Sequence, residues 1–168
     1  MGTFISFGNL DKPFLRMVEA IIKNIDLLPK PIVIQAGHNL NDFKSINKEV
    51  ELFAFCDSQK YLNYIKDANV IIVHAGVGAI SSAIKLGKFP AVFCRKAVFL
   101  EHVDDHQVEL IDYLVNKKIF SSVESDVELR EYLKAGIFLG NNQEKEDIFL
   151  NRQLVLHVQK SIFELMNS

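Results

Sequence analysis

At 168 residues the chain is the size of one ordinary domain, long enough to bury a core without disulfides or metals. Hydrophobic residues at 49% and charged residues at 24% exclude a disordered chain. A formal net charge of −2 gives no basis for a broad nucleic-acid or anionic-membrane surface, and leaves only Arg95–Lys96 as a local basic spot.

The elements alternate along the chain. Thr3–Phe7 is a short apolar run stopped by Gly8-Asn9, which predicts a strand. Asp11 is placed to cap a helix with Pro13 in its first turn, and Phe14, Met17, Val18, Ile21, Ile22 and Ile25 follow at helical spacing. Pro31–Gln35 reads as the second strand, residues 38–48 as a polar loop and Val50–Phe55 as the third strand. Ser58 is a good N-cap for a helix through Asp67, with Tyr61, Leu62 and Ile65 inward.

Val70–Val73 is a wholly apolar fourth strand, followed by a helix from near Gly78 to Leu86 that Gly87 stops. Phe89–Cys94 is the fifth strand, 95–105 a long polar loop, and Asp105–Asn116 a helix carried by Val108, Leu110, Ile111 and Leu114. Ile119–Val123 is a short sixth strand, and Asp126 caps a helix to Lys134. After a turn-rich stretch, Glu146–Met166 closes the chain as a helix whose interrupted apolar side suits its own sheet or a docked partner. The order predicts one α/β domain over 1–168, a doubly wound, Rossmann-like parallel sheet with right-handed crossovers. Cys56 and Cys94 read as free thiols, since their spacing fits neither a disulfide framework nor a zinc site. The first residues lack the pattern of a signal peptide, and no apolar run reaches the ~20 residues that span a bilayer.

Ligands of such sheets bind where strands end, at the switch point, so the residues after strands carry the functional signal. The strongest is Val73-His74-Ala75-Gly76-Val77-Gly78-Ala79-Ile80. Its two glycines permit a tight turn into a helix whose first N–H groups and dipole suit a diphosphate. A plain strand-to-helix turn needs the same glycines, so both readings stand. The stretch is neither a dinucleotide fingerprint nor a P-loop.

The second signal is Glu101-His102-Val103-Asp104-Asp105-His106-Gln107, which follows the fifth strand and should face the same mouth. Its carboxylates and glutamine suit sugar hydroxyls. A metal is disfavoured, because the histidine spacing of four converges on a helix and this stretch reads as loop; a solvated loop with Asp105 as a cap is the plainer alternative. Gly8-Asn9 and Gly37-His38-Asn39 are strand-end turns. Phe55-Cys56 offers a wall for a base or belongs to the core. His157 reads as structural or surface.

With these residues in hand, the chain resembles the carboxyl-terminal domain of glycosyltransferase family 28, over about residues 3–123. Within that family it looks closest to the short, single-domain subunits of bacterial exopolysaccharide and capsule synthesis. It is also similar to the catalytic subunit of the dolichol-linked UDP-N-acetylglucosamine transferase. The residues that carry the likeness are Gly8, Pro13-Phe14 with Arg16, Gln35-Ala36-Gly37-His38, His74-Ala75-Gly76-Val77-Gly78, Leu86-Gly87-Lys88 with Pro90, and Glu101 to Gln107.

The resemblance implies the carboxyl-terminal half of a GT-B enzyme divided between two chains. This half would bind a UDP-sugar, and a membrane-anchored subunit would supply the acceptor-binding half and the lipid-linked saccharide acceptor. The implied reaction is an inverting displacement without a metal or other cofactor, by a cytoplasmic protein that its partner recruits to the cytoplasmic face of the membrane. By carry-over the donor-binding residues are Gly8, Phe55, His74, Gly76, Val77, Gly78, Glu101, His106 and Gln107, with the diphosphate at Gly76–Gly78 and the sugar at His106 and Gln107. The general base falls to the absent half. Where the family carries a ribose-binding glutamate, this chain has Ser82, which keeps open the alternative of a non-catalytic binding or activating subunit. A third reading is a sugar-nucleotide epimerase acting alone.

Overall fold

The computed structural model describes residues 2–46, 49–102 and 120–136. The expected helices at Asp105–Asn116 and Glu146–Met166 lie outside these residues. Six strands form one wholly parallel sheet in the order β3-β2-β1-β4-β5-β6. They are β1 (Thr3–Ser6), β2 (Ile32–Gln35), β3 (Val50–Phe53), β4 (Val70–His74), β5 (Ala91–Phe93) and β6 (Ser121–Ser122). The helices are α1 (Leu15–Asn24), α2 (Ser58–Asp67), α3 (Val77–Lys85) and α4 (Asp126–Ala135). This is the doubly wound, Rossmann-like sheet that the alternation predicts.

Residue alternation along the central strands divides the core in two. Ile5 and Phe7 with Ile32, Ile34, Val70 and Ile72 face α1 and α4. Phe4 with Ile71, Val73 and Val92 faces α2 and α3, where Tyr61 and Tyr64 pack edge-on and stacked against the Phe4 ring. Ser6 and Gln35 continue that second face beyond the apolar rows, so the hydroxyl and the amide emerge under α2 and α3. The chain turns back between β1 and β4, which puts the switch point of the sheet at those two carboxyl ends.

Several boundaries differ from expectation for local reasons. α1 starts at Leu15, and Asp11 caps nothing; Asp11 instead meets His38, whose Nδ1 lies 3.2 Å from its carboxylate. The cap of α2 is Asp57, whose side chain accepts from Lys60 N at 2.8 Å, so Ser58 is the first helical residue. Ser125 likewise takes the capping role expected of Asp126. Residues 37–43, expected as loop, coil into a 3₁₀ helix that buries Phe43 against Phe7. The loop after β5 is not polar throughout: Val98, Phe99 and Leu100 are exposed at its tip.

Candidate functional site

The floor of the site is built from three strand ends. Ser6 Oγ donates to Gln35 Oε1 at 2.6 Å, and Gln35 Nε2 donates to the carbonyls of Ala54 (3.0 Å) and Gly8 (3.3 Å). One amide thus ties the exits of β1, β2 and β3. Beside them the His74 imidazole, at the end of β4, fills a slot between two glycines. A Cβ on Gly8, whose φ is +75°, would lie 2.4 Å from His74 Cε1, and one on Gly76 would lie 2.1 Å from His74 Nε2. Both distances are far inside contact, so packing alone requires those glycines.

Burial, then the nearby Arg95 charge, pull His74 down from 6.5 to about 4, which leaves it neutral at pH 7. Its Nδ1 is a buried polar atom with no hydrogen-bond partner among the described residues, the Tyr61 hydroxyl is buried beside the Ser6 hydroxyl, and both residues line the same cleft. An unpartnered buried atom is uncommon, and costs roughly 1–3 kcal/mol unless water or a ligand meets it.

The cleft has a volume of about 530 Å³ and opens above this floor. One wall is the start of α3, with Gly76, Gly78, Ala79 and Ser82; the other is the start of α2, with Ser58, Tyr61 and Leu62, next to Cys56. Gly76 caps α3 without a side-chain hydrogen bond, so the first N–H groups of that helix keep their outward positive potential. Gly78 differs from its neighbours: a Cβ there would meet nothing within 4 Å among the described residues. No described side chain lining the cleft carries a charge at pH 7, since His74 is held neutral and burial pushes the Cys56 thiol and the Tyr61 phenol up.

The end of β5 has the opposite character. Glu101 is buried and accepts from Arg16 Nε (3.3 Å), Arg16 Nη2 (2.8 Å) and Lys96 N (3.0 Å). Arg16 also donates to the carbonyls of Cys94 (2.5 Å) and Glu124 (2.8 Å). Arg95, expected as part of a surface basic spot, is 1% exposed. It donates to the carbonyls of Lys12, Phe7 and Glu101 and stacks its guanidinium 4.4 Å from the Phe14 ring. Charge at this end of the sheet therefore holds the β5 loop onto α1.

A model of the glycosyltransferase family 28 C-terminal domain matches residues 12–158, most of the chain. The chain belongs to this family. The likeness drawn from its sequence motifs is borne out. Among curated proteins it is 29% identical to the "UDP-N-acetylglucosamine transferase subunit ALG13" of Candida albicans (strain SC5314), over 108 residues that make up 63% of this chain and 33% of that protein. The chain thus spans about a third of the length of that relative.

Its fold is similar to that of solved structures, two of which follow. The solution structure of ALG13 superposes with a TM-score of 0.52 at 17% identity, covering 79% of this chain and 83% of that one. The glycotransferase of kitacinnamycin gives 0.60 at 15% identity, covering 93% of this chain and 39% of that one. The fold is that of the carboxyl-terminal half of a GT-B glycosyltransferase.

Within this family 28 domain, the expected site residues fall into five groups. Gly8, His74, Gly76 and Gly78 converge on the cleft. Val77 opens α3 but packs its side chain against the α2–α3 core. Phe55 is half-exposed and does not line the cleft; its ring lies 5.4 Å from that of His38. Glu101 is committed to Arg16 and Lys96, and His106 and Gln107 lie outside the described residues. The candidate site residues named from sequence omitted Ser6, Gln35 and Tyr61. Gln35 and Tyr61 carried a signal, a polar group placed on an otherwise apolar strand or helix face; a lone serine at the end of a strand carries none.

Proposed function

We propose that this chain is the donor-binding and catalytic subunit of an inverting UDP-sugar glycosyltransferase, acting on a lipid-linked acceptor in polysaccharide biosynthesis. The observation that carries this reading is Gly78. Gly8 and Gly76 are explained by the imidazole between them, but no atom of the described residues requires a glycine at 78. A glycine within a helix costs about 0.5–1 kcal/mol relative to alanine. Its bare face, in the uncapped first turn of α3 and on the cleft, suits close approach of a diphosphate to backbone N–H groups. Family membership and the UDP-sugar named in the Candida relative support the same donor class.

In the proposed reaction an acceptor hydroxyl attacks the anomeric carbon from the face opposite the diphosphate. The bond from that carbon to the diphosphate oxygen breaks, and the hydroxyl proton passes to a base. The first-turn N–H groups of α3 take up the negative charge growing on the leaving diphosphate, in a geometry fixed before the reaction. Neutral His74 adds at most one N–H donor and, with a pKa of about 4, is a poor base. The base and the acceptor therefore belong to a second, membrane-attached subunit in this scheme. Among the described residues no helix is long and apolar enough to cross a membrane.

Titration calorimetry of the chain with UDP tests the reading. Saturable binding that Gly78→Val abolishes, with the fold retained by circular dichroism, is the expected result. No heat at millimolar UDP contradicts it. A second reading, a non-catalytic binding or activating subunit, draws on the absence of any charged side chain among the described lining of the cleft. Co-expression with the membrane subunit separates the two, since transferase activity that survives Gly78→Val places the chemistry outside this cleft.

A further inference from the structure

The loop after β5 carries an apolar tip out into solvent. Val98, Phe99 and Leu100 are 78%, 57% and 81% exposed, so burial does not account for them. The tip is held in place. Phe99 N and Glu101 N donate to the Lys96 carbonyl, and Leu100 N donates to that of Ala97, which closes a single 3₁₀ turn. Below that turn, Glu101 binds Arg16 and Lys96 N.

Leu100 adds a cost of its own. At φ +59° and ψ +20° it sits in the left-handed region, where a leucine Cβ is crowded and glycine is free. It is the one non-glycine residue with positive φ among the described residues. Glycine would serve the turn, so leucine stands here against both backbone preference and solvent. Strain combined with exposed apolar surface points to a contact outside the chain.

Size and shape select the occupant. Three such side chains offer a few hundred Å². A specific protein interface takes ~800 Å² from each partner. A projecting tip gains little on a flat protein face. At a bilayer surface each apolar side chain is surrounded without any need for a complementary shape. Cations flank the tip where headgroup phosphates would lie: the Arg16 guanidinium is 5.3 Å from the centre of the Phe99 ring, and Lys96 opens the turn. Glu101 and Glu124 already pair with them, so the apolar contribution leads.

We infer that Val98, Phe99 and Leu100 insert into the headgroup boundary of a lipid bilayer and give this chain a weak membrane contact of its own. The inference goes beyond the proposed reaction and needs no nucleotide. The tip leaves the same end of the sheet as the cleft, so insertion turns that end toward the leaflet.

The chain contains no tryptophan, so Phe99→Trp puts a single reporter at the tip. Adding vesicles of phosphatidylcholine and phosphatidylglycerol to this full-length variant should shift its emission to the blue, saturably, with quenching by lipids brominated on their acyl chains. Leu100→Gly separates membrane contact from folding. It should raise the urea midpoint, because the left-handed residue is relieved, yet lower co-sedimentation with the same vesicles about three- to tenfold, the worth of one partly buried leucine. Emission that vesicles leave unmoved overturns the inference. A shift that follows protein concentration without lipid also overturns it, and assigns the tip to a second copy of the chain. Unchanged co-sedimentation of Leu100→Gly, or a lowered urea midpoint, makes Leu100 a residue of the fold and overturns it as well. Neither assay contains UDP, so failure here leaves the donor reading standing.

Discussion

Two neighbouring strand ends of this sheet use polar groups in opposite ways. At the end of β5, the Glu101 carboxylate accepts from Arg16 and from Lys96 N, and Arg16 and Arg95 together donate to five backbone carbonyls, closing a loop onto α1 with Arg95 Nε alone left without a partner among the described residues. At the ends of β1 and β4, Ser6 and Gln35 are satisfied, but His74 Nδ1 is not, and the cleft above them has no charged lining among the described residues. The charged end is a structural clasp. The neutral end keeps polar atoms and helix N–H groups facing a cavity. A charged residue in a suggestive motif is therefore weaker evidence of a site here than an unpaired neutral one.

The sharpest way to break this contrast is Glu101→Ala. It leaves Arg16 largely buried without its carboxylate, and removing one member of a buried ion pair costs about 3–5 kcal/mol. Urea denaturation should show that loss. UDP affinity below the melting transition should stay within about twofold of the unsubstituted chain, the scatter of a change that makes no ligand contact. A large fall in affinity with stability intact would return Glu101 to the donor site, where its motif had suggested it.

Acid sharpens the other side. The folded chain holds His74 neutral down to about pH 4, whereas the unfolded chain protonates it below 6.5. Stability is thus complete above pH 6.5 and is lost as the pH falls toward 4, because only the unfolded state gains the proton. The gap of about 2.5 units is worth about 3 kcal/mol. The slope of the urea midpoint against pH should shrink in His74→Gln; an equal slope in both would show that the ring is solvated.

Smaller in effect, but the most discriminating, are two alanines two residues apart. Gly76→Ala drives a methyl group into the His74 ring and should cost about 1–3 kcal/mol. Gly78→Ala meets nothing and should stabilise α3 by about 0.5–1 kcal/mol while weakening UDP binding. Two destabilising results would mean that the second glycine also serves packing.

Much of the fold was legible because alternating apolar strands and 3.6-period helices leave an unmistakable trace, and all six strands lie within or next to their expected spans. Caps were off by one where two capping residues adjoin, as at Asp57-Ser58 and Ser125-Asp126, since sequence does not say which one leaves helical geometry. Gly8, His74, Gly76 and Gly78 were legible because a glycine at a strand end announces a backbone constraint. That Gly8 and Gly76 serve one imidazole was not, because the two are distant in sequence and meet only through the β1–β4 pairing. Arg95 was misread for a related reason: a basic pair after a strand looks solvated, and only the carbonyls of Phe7, Lys12 and Glu101 show that it is not.

The most direct test is to follow the backbone amides of the ¹⁵N-labelled chain while UDP is added. Saturable shifts centred on Gly76, Val77 and Gly78, with the amide of Lys96 unmoved, are the expected result. Shifts centred on the β5 loop, with the start of α3 silent, would contradict a diphosphate held by that helix.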